Sequence, residues 1–328
     1  MIRRSYDRAA RAEGALAKAR FKDDTGHMRS SLDHLPSGKR LELTFVVDML
    51  RATFGLTKSG KRASAKREDA ILKIVLFGSY ARGDWVEDPI GRYFSDYDLL
   101  VVVADEKHTD VWEYWEVAEQ RLLDELAAGI RLRTPVNFIV HSLEDVNSQL
   151  ERGRPFFRDI VRDGIALFEI PERPFSTPGD LPIETIFEEA KAHFNDLIPS
   201  AANRMRVASY CMSQGMNNEA AFDLHQATEY LYNGMILVKT LYTPKTHNLV
   251  RLRNLAEQTE PTLKSIWPVE TKFHKRCFEL IRAACVKARY SRHYRINDDE
   301  LEWIIERVGR LLTEVTERCE IHLRSLED

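Results

Sequence analysis

The segment from Ile71 to Val103, ILKIVLFGSYARGDWVEDPIGRYFSDYDLLVVV, constrains this chain more than any other stretch. An apolar run of strand character ends in Gly78-Ser79, and a short helical stretch follows. A second apolar strand then opens with Asp96 and Asp98, one residue apart. Residues i and i+2 of a strand point to the same face, so the two carboxylates converge. A Gly-Ser turn leading into a helix offers backbone N–H groups and a positive dipole end to a phosphate. Hard oxygen ligands beside a phosphate cradle suit a Mg²⁺-nucleoside triphosphate.

Each residue of the segment has a physical role to fill. Gly78 permits close backbone approach to a phosphate, and Ser79 adds an N–H and a hydroxyl. Arg82 stands about one helical turn further on, where it can brace a phosphate or pair with an acid. The bland alternative is a surface turn with two strand-edge acids. Against it, Asp96 and Asp98 run directly into Leu-Leu-Val-Val-Val, a buried strand where charges without a purpose are costly.

Beyond this segment the chain changes character once. A helical pattern (Leu41, Phe45, Val46, Met49, Leu50, Phe54) precedes a basic loop, KSGKRASAKR. Strands read at Ile71–Phe77, Leu99–Val103 and Val136–Val140, with a long amphipathic helix around Val111–Leu126. A helix over Ser142–Leu150, helix or turn at Asp159–Gly164 and a short strand at Ile165–Phe168 follow. The stretch Pro171–Pro182, with four prolines and one glycine, reads as a linker. After it only helical patterns remain, over about 184–214, 218–240, 247–258, 270–290 and 298–326. Asn217 or Asn218 is expected to cap the second of these helices and Asp298 to start the last.

Strands first and helices afterwards give an α+β fold: a small mixed sheet flanked by helices, then an all-α bundle. The division expected is a basic extension over 1–30, a first domain over 31–172, a linker over 173–183 and a helical domain over 184–328. A length of 328 residues accommodates two domains. The net charge of −3 excludes a generic nucleic-acid binder. The four cysteines form no CxxC pair and read as reduced thiols, so a cytoplasmic protein is expected. No apolar run approaches a membrane span.

The Gly78-Ser79 … Asp96-x-Asp98 arrangement resembles the signature of the DNA polymerase beta-like nucleotidyltransferases, in their minimal form. The resemblance implies that Gly78, Ser79 and Arg82 bind nucleotide, and that Asp96 and Asp98 hold Mg²⁺ for transfer of a nucleoside monophosphate, AMP from ATP being the first choice. The chain departs from the compact pattern in two places. DWVEDPIGRYF resembles an insertion at the pocket mouth, and the later strand TPVNFIV carries Asn137 where catalytic members carry a third carboxylate. Asparagine can ligate a cation through its carbonyl but cannot act as a general base.

The helical half resembles the HEPN domain through AAFDLHQATEYLYNGMILV and ARYSRHY. HEPN domains that cut RNA pair an arginine with a histidine a few residues later. Arg289 and His293 are the nearest match, one residue short of that spacing, and Tyr290 and Tyr294 flank the histidine. The resemblance also implies a homodimer through the helical domain, RNA contact at the basic loop, and a tyrosine acceptor as in nucleotidyltransferase–HEPN toxin–antitoxin pairs. Three function classes follow: a nucleotidyltransferase acting on a tyrosine or a small molecule of the antibiotic type, a HEPN ribonuclease restrained by the transferase half, and a nucleotide sensor with little turnover. Other histidines carry less. His225 and Glu229 have metal-ligand spacing on a helix but read as core, His247 is expected to cap or orient the next helix, and His274 and His322 are expected at the surface.

Overall fold

The computed structural model describes residues 28–63, 70–88, 93–244 and 246–327. Most of the expected N-terminal extension, part of the basic loop and the tip of the DWVEDPIGRYF segment lie outside these residues. The chain divides into two compact units between Asp180 and Leu181.

The first unit is built on helix α1 (Ser37–Thr53) and strand β1 (Ile71–Phe77), followed by the five-residue helix α2 (Gly78–Arg82). A two-residue hairpin, β2 (Glu87–Asp88) and β3 (Tyr93–Phe94), leads to β4 (Tyr97–Val103). Then come α3 (Val111–Tyr114), α4 (Glu116–Ala128), β5 (Val136–Ser142), α5 (Leu143–Glu151), α6 (Pro155–Asp163) and β6 (Ile165–Glu169). The four-stranded sheet has the order β5-β4-β1-β6. The β4–β5 pair is parallel, and β1 is antiparallel to both β4 and β6. The sheet is therefore mixed.

β1 and β4 are buried at all seven positions each, which explains why they are apolar almost throughout where a half-exposed strand would alternate. On one face Ile74, Leu76, Leu99, Val101 and Phe138 pack with Leu43, Val46 and Leu50 of α1 and Leu122 of α4. On the other, Val75, Leu100, Val102 and Ile139 are closed off by buried side chains of α5 and α6, among them Val146, Leu150, Phe157 and Ile160. Lys73 is fully buried in β1 and pairs with Glu169 of β6, its ammonium 5.0 Å from the Phe175 ring.

The long helix expected around Val111–Leu126 is interrupted at Trp115. Its indole is fully buried against Phe54 and Phe138 and donates to the His108 carbonyl at 2.7 Å. Seating that ring holds the backbone at φ −122°, ψ −10°, off the helical values. Periodicity does not register such a break.

The second unit is a five-helix bundle: α7 (Ile183–Ser213), α8 (Asn217–Thr240), α9 (Leu249–Thr259), α10 (Lys272–Tyr290) and α11 (Asp298–Glu327). α8 is the central helix, packed against the other four. Small residues permit its close approach to α7: a Cβ at Gly234 would stand 3.2 Å from Ile198 Cδ1 and 3.6 Å from Leu197 Cβ. The buried Trp267 indole donates to the Tyr232 hydroxyl at 2.8 Å, satisfying both polar groups inside the core.

Several caps differ from expectation. Asn217 is the first residue of α8 and makes no cap bond there; its amide instead donates to the Asp298 carboxylate at 2.8 Å. Asn248, not His247, caps α9 by accepting from the amides of Val250 and Arg251. α11 starts with a reciprocal box in which Asn297 Oδ1 accepts from Glu300 N and Glu300 Oε2 accepts from Asn297 N. His274 is half-buried and stacked on Trp303, and His322 is also half-buried, so neither is the surface residue expected. Burial pushes the His322 pKa down.

Candidate functional site

The site forms where β1 ends and β4 begins. Gly78 has φ +72°, a left-handed conformation that bulkier residues adopt only with strain, so the turn after β1 requires glycine. Ser79 follows, 6% exposed, with a buried hydroxyl that has no hydrogen-bond partner among the described residues. Asp98 is the register partner of Phe77 on β1 and of Asn137 on β5. The Gly-Ser turn therefore leaves the sheet directly beside the carboxylates. Asp96 immediately precedes β4, and Asp96 and Asp98 are 6% and 2% exposed.

Asn137 Nδ2 donates to Asp96 Oδ2 at 2.8 Å. The structure thus brings Gly78, Ser79, Asp96, Asp98 and Asn137 together at one end of the sheet. Arg82 lies at the far end of α2, 40% exposed, and its guanidinium reaches Asp84 at 3.3 Å. Among the described residues no group of three or more His, Cys, Asp or Glu side chains is arranged to hold a metal. The donors here are two carboxylates and an amide.

Behind the site is an aromatic layer that the sequence did not announce. Tyr97, between the two aspartates, points to the opposite face and is fully buried. Its ring lies 4.5 Å from that of Tyr80, which in turn stacks on Trp85 at 5.4 Å. Lys39 pairs with Glu87 of the β2–β3 hairpin and donates to Thr134 at 2.7 Å. Burial pulls the Lys39 ammonium down, but the hydrogen bond to Glu87 and the nearby Tyr80 and Glu42 outweigh it and hold the pKa above its ordinary value. Burial raises the phenols of Tyr80 and Tyr97. The layer seats the residues adjoining Ser79 and both aspartates on neutral phenols and a closed ion pair. A Tyr at x of an Asp-x-Asp at a strand start is the available signal.

In the helical unit, Arg289 sits in the last turn of α10. Its Nε donates to the Cys285 carbonyl at 2.8 Å, and its guanidinium lies 4.9 Å from each of the Phe222 and Tyr290 rings. Tyr290 is 73% exposed. With Val286, Lys287, Ser291, Arg292 and His293 it lines an open depression of about 440 Å³. Tyr294 does not belong to that surface. Its ring is buried, its hydroxyl donates to the Leu280 carbonyl at 3.0 Å, and burial raises its pKa well above the phenol range. Of the two tyrosines that flank His293 in the sequence, only Tyr290 is exposed.

His225 is fully buried and its Nδ1 donates to the Ile281 carbonyl at 2.8 Å, as a core histidine would. Its Nε2 stands 3.6 Å from Glu229, whose other oxygen accepts from His247 Nδ1 at 2.8 Å. Burial pushes the Glu229 carboxyl up, but the two nearby imidazoles, His247 by its hydrogen bond, outweigh it and lower the pKa.

Two family models match the chain. Residues 60–156 match the nucleotidyltransferase domain, and residues 194–319 match the HEPN domain. The chain carries a nucleotidyltransferase domain followed by a C-terminal HEPN domain, on a small mixed sheet and a helical bundle respectively. Transferase activity in general, a nucleoside triphosphate substrate and use of a divalent metal ion come with the first family. No curated protein gives a significant match to the chain. Among the described residues no helix is long and apolar enough to cross a membrane.

Proposed function

We propose that this protein transfers a nucleoside monophosphate, AMP from ATP, to a hydroxyl acceptor in a Mg²⁺-dependent reaction. The observation that carries the reading is the register of β1 against β4, which sets the Gly78-Ser79 turn beside two buried carboxylates. The donor set fits a hard cation: Asp96 and Asp98 supply carboxylate oxygens, and the Ser79 hydroxyl, without a partner among the described residues, can meet a phosphate oxygen. When bound, Mg²⁺ offsets the charge of the triphosphate. Asp96 and Asp98 hold the cation, Gly78 and Ser79 present backbone N–H groups to the phosphates, and Asn137 orients Asp96. Asn137 has no basic group, so the acceptor proton leaves by another route.

The acceptor we favour is Tyr290 of the chain itself, in the same copy or a second one. It is exposed, and Arg289, Arg292 and Lys287 surround it with groups suited to phosphate. A nucleotidyl group there would add negative charge to the basic loop and weaken RNA contact. Exposed Val207, Tyr210, Met216, Val286 and Tyr290 on the bundle support homodimerisation as well. The test is incubation of the full chain with labelled ATP and Mg²⁺, followed by peptide mapping. Label on the Tyr290 peptide that disappears in Asp96→Asn/Asp98→Asn supports the reading. Label that persists in that variant removes the transferase assignment, and label placed elsewhere removes Tyr290.

A further inference from the structure

We propose that Asn137 is a positioning residue that competes with free divalent cation for Asp96, so that the site takes up its cation together with the triphosphate. This rests on the reading of Asp96 and Asp98 as the cation ligands.

Asp96 and Asp98 stand two residues apart, withdrawn from water at 6% and 2% exposure. Like charges so placed repel each other, and neighbouring donors offset that. Asn137 is fixed opposite them by the parallel β4–β5 register, in which it pairs with Asp98. It reaches back past Tyr97 to donate to Asp96 Oδ2 at 2.8 Å. A carboxylate only accepts, so the amide end facing Asp96 is the NH₂ group and the amide oxygen is turned from it. The N–H group thus lends Asp96 Oδ2 partial positive charge without a cation.

Two consequences follow. The carboxylate pair is held in place before any ligand arrives, and a cation approaching Asp96 Oδ2 must displace a charge-assisted hydrogen bond. Two carboxylates, with Asp96 so engaged, form a weak site for a bare divalent ion, because affinity rises with ligand charge. A cation already bound to a triphosphate brings further anchoring through the phosphates, and displacement then becomes favourable. A carboxylate at position 137 would reverse this by adding negative charge and removing the donor.

The probe is Mn²⁺, titrated by paramagnetic resonance into the full chain, first alone and then with ATP. Wild type should bind Mn²⁺ weakly alone and well with ATP. Asn137→Ala should bind free Mn²⁺ roughly tenfold more tightly than wild type, since it loses only the competing donor. Asn137→Asp should bind it roughly a hundredfold more tightly, and its thermal midpoint should fall in chelator and recover with Mn²⁺. A purely structural asparagine would leave free-cation affinity unmoved. Weaker binding by Asn137→Ala would mean that the amide oxygen is a ligand, and unchanged binding would mean that the amide does not compete; either overturns the proposal. The site reading fails separately, if wild type does not bind Mn²⁺ with ATP at all.

Discussion

Replacing Asp98 by asparagine should move stability and ligand affinity in opposite directions. Asp98 is 2% exposed and lies on the same face as Asp96, two strand residues away. At about 3.3 Å rise per residue the charges are about 6.6 Å apart, and at an effective dielectric near 20 they repel by about 2.5 kcal/mol. Part of that is already offset by the Asn137 amide on Asp96 and by the interactions Asp98 itself makes, so the cation-free protein should gain stability by less than this figure. Loss of a charged ligand should weaken Mg²⁺-ATP binding by about 1–3 kcal/mol, or roughly 5- to 150-fold. Calorimetry with Mg²⁺-ATP reads the second effect, and thermal unfolding with chelator and then with Mg²⁺-ATP reads both. The ligand-induced rise in midpoint should shrink while the chelator midpoint holds or rises. An Asp96→Asn/Asp98→Asn variant that binds Mg²⁺-ATP as wild type does would refute the reasoning.

Three further outcomes are expected. Glu169→Gln leaves the Lys73 ammonium buried without its ion pair and should cost about 3–5 kcal/mol in urea unfolding, whereas Lys73→Met with Glu169→Leu should stay near wild type; equal stability of all three proteins would contradict this. The His141 hydrogen bond holds the Asp145 carboxyl below its ordinary value, so its contribution is present above about pH 4 and is lost as pH falls below that. Asp145→Asn should therefore be less stable than wild type at pH 7, with the gap closing toward pH 2. Light scattering of the full chain should give twice the 38.0 kDa chain mass, and a monomer at micromolar concentration would count against pairing through the bundle.

Much of this architecture is legible in the sequence because burial leaves long, unambiguous signals. β1 and β4 are covered on both faces, so an apolar run marks each one, broken only by Lys73 in β1 and Asp98 in β4. The helical bundle shows the 3.6-residue period over helices of up to 31 residues. Gly78 and the Asp-x-Asp are legible because backbone conformation and charge at a strand start leave few other residue choices. What escaped depends on contacts distant in sequence. The Trp115 break comes from a ring seated against Phe54 and Phe138. Tyr294 and Tyr290 look alike in ARYSRHYR, yet only one finds a carbonyl, that of Leu280, inside the bundle. The Asn137–Asp96 bond joins residues 41 apart and becomes visible only once the β4–β5 register is known.

The central claim is that Asp96 and Asp98 serve nucleotidyl transfer, and pyrophosphate release tests it most directly. The full chain, incubated with ATP and Mg²⁺, should release pyrophosphate in step with a labelled adenylyl product. Release should stop with chelator and in Asp96→Asn/Asp98→Asn. Release that continues undiminished in that variant, or its absence from wild type with every nucleoside triphosphate, would contradict the account.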